Sequence, residues 1–111
     1  MTLGQKQRLF TRLMTDWCAW VYKQGYELTD GDAYRDPRVH GKKGEKKSYS
    51  SRNSQHKDRL ARDYNLFIDG VWQTTTEAHR PLGEKWESMH PLCRWGGNFS
   101  NPDGNHYEFR P

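Results

Sequence analysis

A chain of 111 residues and 13.2 kDa has the length of one domain and can bury one modest core. Leu, Ile, Val and Phe number only 16, but net charge is +4 and aromatics reach 14%, with five Trp, so a few large rings can replace many aliphatics and disorder is not implied. A transmembrane helix is excluded because no run of about 18 apolar residues exists, and Cys18 and Cys93 stand too far apart to form the C-x-x-C pair of a cysteine zinc site.

Residues 4–24 carry Leu9, Phe10, Leu13, Met14, Trp17, Trp20 and Val21 at helical spacing. Gly25 follows as a stop signal. The stripe reads as core, with Cys18 packed on or beside it. Residues 26–35 (YELTDGDAYR) read as a short strand or turn ending in an ordered Arg35. Charge then becomes uneven. Residues 35–62 hold ten Lys/Arg against three Asp/Glu, while the rest of the chain holds eight against eleven. The densest part, residues 38–52, reads as an exposed loop from its Gly, Ser and Lys content. It is either a solvated loop or a surface for an anionic partner.

Residues 60–68 are β-rich toward their end, and Asp69-Gly70 predicts a tight hairpin into Val71-Trp72-Gln73. Residues 77–90 predict a second helix with Leu82, Trp86 and Met89 on one face, Pro81 in the first turn and Pro91 at the end. Residues 93–99 and 105–110 predict two short strands joined by SNPDGN, with Pro and Gly in turn positions. Helix, mixed strands, helix, strands is an α+β order: a small antiparallel sheet with flanking helices.

Chemistry concentrates around two of the five histidines. His56 precedes Asp63 by seven positions, and Asp103 precedes His106 by three. Two neutral imidazoles and one carboxylate are a common catalytic zinc set, with the fourth position left to water. A second carboxylate off the metal can serve as general base. On spacing alone, ordinary surface residues are the alternative. His40 is expected to be solvated, and His79 and His90 to cap or pack around the second helix. Glu108 would share a strand face with His106, either orienting its imidazole or forming a surface salt bridge.

The stretch Ser54-Gln55-His56-Lys57-Asp58-Arg59-Leu60-Ala61-Arg62-Asp63 resembles the S-x-H-x-x-(G/x)-x-A-x-D signature of the M15 family of zinc peptidases. Trp95-Gly96-Gly97-Asn98-Phe99, followed by Asp103-x-x-His106-Tyr107-Glu108, resembles that family's second signature. The resemblance runs from about residue 30 to 110. It implies one M15-like domain over residues 1–111, with a DD-peptidase/Hedgehog-like fold. It further implies zinc on His56, Asp63 and His106, with Asp103 as catalytic acid/base. Arg35 would hold substrate or the developing oxyanion, and Ser54 would lie near the substrate. Two features depart from the family pattern: Arg59 stands about where a glycine is usual, and the loop between Arg35 and Ser54 is lysine-rich.

The resemblance implies a phage-type endolysin cutting the peptidoglycan stem peptide, L-Ala-D-Glu being the expected bond. A D-Ala-D-Ala carboxypeptidase or dipeptidase is the alternative within the class. Bacterial peptidoglycan is the expected partner, with no nucleic acid, no stable membrane insertion and a monomeric state. MTLGQKQRLF lacks the apolar segment of a Sec signal, so storage in the host cytoplasm and later release to the wall is the expectation. A reading of another class is a non-enzymatic module that binds nucleic acid through the basic segment and Tyr49. It leaves both signatures unexplained.

Overall fold

The computed structural model describes residues 1–110. The N-terminal stripe forms α1, Leu3–Lys23, entered through a capping box in which Thr2 and Gln5 satisfy each other's backbone N–H groups. Phe10, Met14, Trp17 and Val21 are its buried residues, and Leu9, Leu13, Cys18 and Trp20 pack at the margin. The spacing of four, three and four keeps the buried set on one face. β1 (Glu27–Asp30) follows, then a single turn of helix, α2 (Pro37–His40), and a 3-10 turn over Gln55–Asp58.

β2 (Ala61–Ile68) is the longest strand and the organiser of the sheet. It pairs antiparallel with β1 along one edge. Its C-terminal end pairs with β3 (Val71–Gln73) through the Asp69–Gly70 hairpin, and its N-terminal end with β5 (His106–Phe109). β4 (Cys93–Trp95) completes the order β1-β2-β5-β4. The sheet and helices make the expected α+β fold. Among the described residues, no helix is long and apolar enough to cross a membrane.

α3 spans Thr76–Met89, capped by Thr75, and buries His79, Leu82, Gly83 and Trp86. Pro81 lies in the second turn rather than the first. Its missing N–H leaves the Glu77 carbonyl without the usual helical partner. The strand expected over 93–99 stops at Trp95, and Gly96–Asn98 turn instead into a 3-10 segment.

Aromatic rings fill the core. Trp17 and Tyr107 lie 4.3 Å apart between centroids, and Phe10 meets the Trp86 ring edge-on at 5.6 Å. Each buried indole N–H reaches a backbone carbonyl. Trp17 donates to Leu82 O at 2.9 Å, Trp86 to Glu108 O at 3.0 Å and Trp95 to Gly104 O at 2.7 Å. The last two bonds tie the core to β5 and to the loop before it. All four residues of β5 are buried. Tyr107 and Phe109 belong to the core, and the alternation of a strand turns His106 and Glu108 to the opposite face.

Candidate metal centre

Asp63 and His106 are directly opposed residues of the antiparallel β2/β5 pair, so register alone brings their side chains together. His56 arrives from the 3-10 turn just before β2. Ser54 caps that turn, its Oγ accepting from His56 N at 3.2 Å. One atom from each of the three side chains lies within 4.8 Å of the other two. Asp63 Oδ1 is 3.1 Å from both His56 Nε2 and His106 Nδ1, and those two nitrogens are 3.2 Å apart.

The far nitrogen of each ring decides what the near one can do. His56 Nδ1 donates to Ala33 O at 2.7 Å, and His106 Nε2 donates to Glu108 Oε1 at 2.7 Å. In the neutral rings these bonds leave the lone pairs of His56 Nε2 and His106 Nδ1 facing the Asp63 carboxylate. Three acceptors around one point repel each other unless a cation sits among them. The donor set, two imidazoles and one carboxylate with a side open to a pocket, fits zinc.

The cluster attracts positive charge in any form. Burial alone would lower the His106 pKa, but hydrogen bonds to Asp63 and Glu108, and the charges of both, raise it to about 9. Burial pushes the Asp63 carboxyl up, and hydrogen bonds and charge from the two imidazoles outweigh this and hold it at about 2. A proton and a metal ion therefore compete for His106 Nδ1. Glu108 is no surface salt bridge. It is 3% exposed and also accepts from Arg110 Nε at 2.8 Å.

A cavity of about 410 Å³ opens beside the cluster, with Arg35, Ser54, His56, Phe99, Asp103 and His106 in its wall. Asp103 Oδ2 stands 4.0 Å from His106 Nδ1. Burial in the cavity wall raises its carboxyl above the ordinary range, and the Asp63 charge adds to that against the nearby cations. The Asp103 side chain still keeps 55% of its surface open. Its backbone is set by Gly96, whose carbonyl accepts from Asp103 N at 2.9 Å. A Cβ at Gly96 would collide with the Asp103 carbonyl and press on His106 Cβ, so the Trp-Gly segment is a packing requirement of the acid's loop.

Arg35 enters the cavity from the opposite side. Its Nε donates to Asp32 Oδ2 at 3.1 Å, and one terminal nitrogen donates to Ser50 Oγ at 3.2 Å and Ser54 Oγ at 3.1 Å. The other terminal nitrogen is 3.9 Å from Asp63 Oδ2. Tyr49 lies 5.1 Å below the guanidinium and donates its hydroxyl to Asp32 at 2.6 Å. Ser54 thus braces Arg35 and His56 besides lining the cavity. Asp32, Tyr49, Ser50 and the Ala33 carbonyl are contributors that sequence reasoning missed. Only nearness in sequence to Arg35 could have pointed to Asp32 and Ala33.

The lysine-rich segment is exposed but stitched down. Lys57 Nζ donates to Glu45 O at 2.6 Å, and Lys43 pairs with Asp58 at 2.6 Å. His40 bonds Ser48 Oγ through Nδ1 at 2.7 Å rather than standing free. His79 packs against the Tyr107 hydroxyl at 2.9 Å, and His90 caps the end of α3, as expected of both.

A family model described as D-alanyl-D-alanine carboxypeptidase, of the M15 peptidases, matches residues 48–109. No curated protein matches the chain. The matched span holds Ser54, His56, Asp63, Asp103 and His106, and begins after Arg35.

Proposed function

The chain belongs to the M15 peptidase family, and on that premise we propose that it is a zinc peptidase of the phage endolysin type, hydrolysing the L-Ala-D-Glu amide bond of the peptidoglycan stem peptide. The observation that carries this reading is the convergence of His56 Nε2, Asp63 Oδ1 and His106 Nδ1 at the edge of a cavity that also holds a free carboxylate and a braced guanidinium. Zinc on those three atoms would polarise the scissile carbonyl and acidify the attacking water.

The protein's own residues do the rest. Asp103, its carboxyl raised above the ordinary range by burial, takes a proton from the water and passes it to the departing amine. Arg35, held from three sides, faces negative charge on the substrate or on the developing oxyanion. In the stem peptide a free carboxylate lies next to the scissile bond, and a guanidinium is the natural partner for it. Glu108 keeps the proton of His106 on Nε2 and so keeps the Nδ1 lone pair available. The basic segment over residues 35–62 draws the protein toward anionic wall polymer, an attraction that weakens with salt.

Digestion of purified sacculi followed by mass spectrometry tests the reading. New D-Glu N-termini paired with released L-Ala carboxyl ends are expected. Release of free D-Ala in their place would assign the chain to the carboxypeptidase branch, which the description of the matching family favours. An unchanged digest, with or without added zinc, would overturn both.

A further inference from the structure

A second cavity of about 350 Å³ adjoins the first and shares Pro102 and Asp103 with it. That volume is in the range of ligand clefts. Its wall is formed by the end of the β2–β3 hairpin, the start of α3 and the loop before β5, including Trp72, Thr74, Thr76 and Asn105. Apart from Asp103 and the buried His79, no side chain in the wall ionises. That is unusual on a chain in which 29% of residues are charged, and it points away from a charged ligand. The Thr75 hydroxyl is committed to capping α3 and the Asn65 amide to Thr29. The hydroxyls of Thr74 and Thr76 and the amide of Asn105 have no hydrogen-bond partner among the described residues. Trp72 stands 59% exposed at the rim, where an indole of this size is costly to leave in water without a partner.

An exposed indole face beside free amide and hydroxyl groups, with Asp103 at the junction as the one exposed ionisable group, is the chemistry that recognises a sugar ring. The ring's C–H face packs on the indole while its hydroxyl and acetamide groups bond the polar rim. We propose that this groove is a subsite for an uncharged N-acetylhexosamine unit of the glycan strand that carries the stem peptide. The proposal rests on the peptidoglycan reading above. Asp103 stands at the junction of the two cavities, so a sugar in one and a peptide in the other are neighbouring parts of one substrate. L-Ala is the stem residue attached to the sugar. A sugar subsite beside the catalytic acid therefore suits cleavage at L-Ala-D-Glu better than at the distant D-Ala end.

Two measurements test it. Titration with chitotetraose, read by tryptophan fluorescence, is expected to change the wild-type signal and to leave Trp72→Ala unchanged. Trp17, Trp86 and Trp95 are fully buried, and Trp20 is partly buried on α1 outside the groove, so the Trp72→Ala protein reports their combined background. Next, kcat/KM is compared for a stem peptide carrying its disaccharide and for the bare peptide. The wild type is expected to prefer the glycan-linked form, and Trp72→Ala to cut that preference about tenfold, with Trp72→Phe restoring part of it. Absence of any chitotetraose response, or a preference that Trp72→Ala leaves intact, overturns the subsite. Equal losses on both substrates would mean that the groove holds peptide, which also overturns it. If neither substrate is cut, the peptidase reading fails, while the titration still decides whether the groove binds sugar.

Discussion

The two halves of the site are built differently. Asp63, His106 and Glu108 stand on paired strands, and their spacing is set by register and by buried hydrogen bonds. Arg35, Ser54 and Asp103 stand on connecting segments, Arg35 braced by Asp32, Ser50 and Ser54 with Tyr49 behind Asp32, and Asp103 held by its backbone bond to Gly96. The strand half is buried and its charges are compensated on the spot. In the loop half Asp103 keeps 55% of its side chain open to the cavity, while Arg35 and Ser54 reach the cavity from enclosed positions. A site that must grip a cation and also admit a polymer benefits from this division, because rigidity serves the metal and access serves the substrate.

The sharpest way to break the comparison is to remove a strand-borne ligand. His106→Ala is expected to reduce bound zinc from about one per chain to background, measured by elemental analysis, and to abolish turnover. Removing the loop-borne acid should behave differently. Asp103→Asn is expected to keep zinc and the circular-dichroism spectrum while turnover falls by about 10²- to 10⁴-fold. Zinc loss in Asp103→Asn, or zinc retained at full stoichiometry in His106→Ala, would erase the distinction between the halves.

A smaller effect is expected one layer out. Glu108→Gln keeps shape but weakens the acceptor for His106 Nε2–H and removes the charge facing Arg110. Zinc affinity should fall by about 10- to 100-fold, read by competition with a chelator. The isolated chain should also unfold at lower denaturant, because Glu108 is the buried partner of His106 and also accepts from the more exposed Arg110.

Legibility in the sequence followed the same division. The 3.6-residue stripe of α1, the Asp69–Gly70 turn and the Leu82/Trp86 face of α3 rest on local periodicity and turn chemistry, and all three were visible in advance. The His56, Asp63 and His106 cluster was readable only through the resemblance of its flanking motifs, because the β2/β5 register that joins positions 63 and 106 is non-local. The Arg35 braces were not readable. Asp32, Tyr49 and Ser50 are common surface residue types with no spacing signature, and their role comes from how the lysine-rich segment folds back. Arg59 shows the limit from the other side. Read as a departure from a usual glycine, it does adopt the left-handed backbone that glycine favours, at φ 58°, and its guanidinium lies 3.9 Å from the Tyr34 ring centre.

The mildest test addresses the least legible part. Tyr49→Phe keeps the ring beneath Arg35 and deletes only the hydroxyl that donates to Asp32. That hydrogen bond is the main cause of the lowered Asp32 carboxyl, ahead of its contacts with Arg35. Asp32 braces Arg35 only while ionised. Because its folded pKa is depressed, the brace is complete above the ordinary carboxylate range and is lost as pH falls through the lowered value. Without the hydroxyl the carboxyl moves back up, so the brace should fail at a higher pH than in the wild type. Near neutrality, where Asp32 stays ionised in both proteins, one hydrogen bond at an exposed site is worth about 0.5–1.5 kcal/mol. KM should then rise two- to tenfold or so with kcat nearly unchanged, because Asp103 and the ligand cluster are untouched. On the acid side the KM difference should widen. A matching fall in kcat at every pH would mean that Tyr49 reaches the proton-transfer step itself, and that the loop half is less separable from the strand half than its geometry indicates.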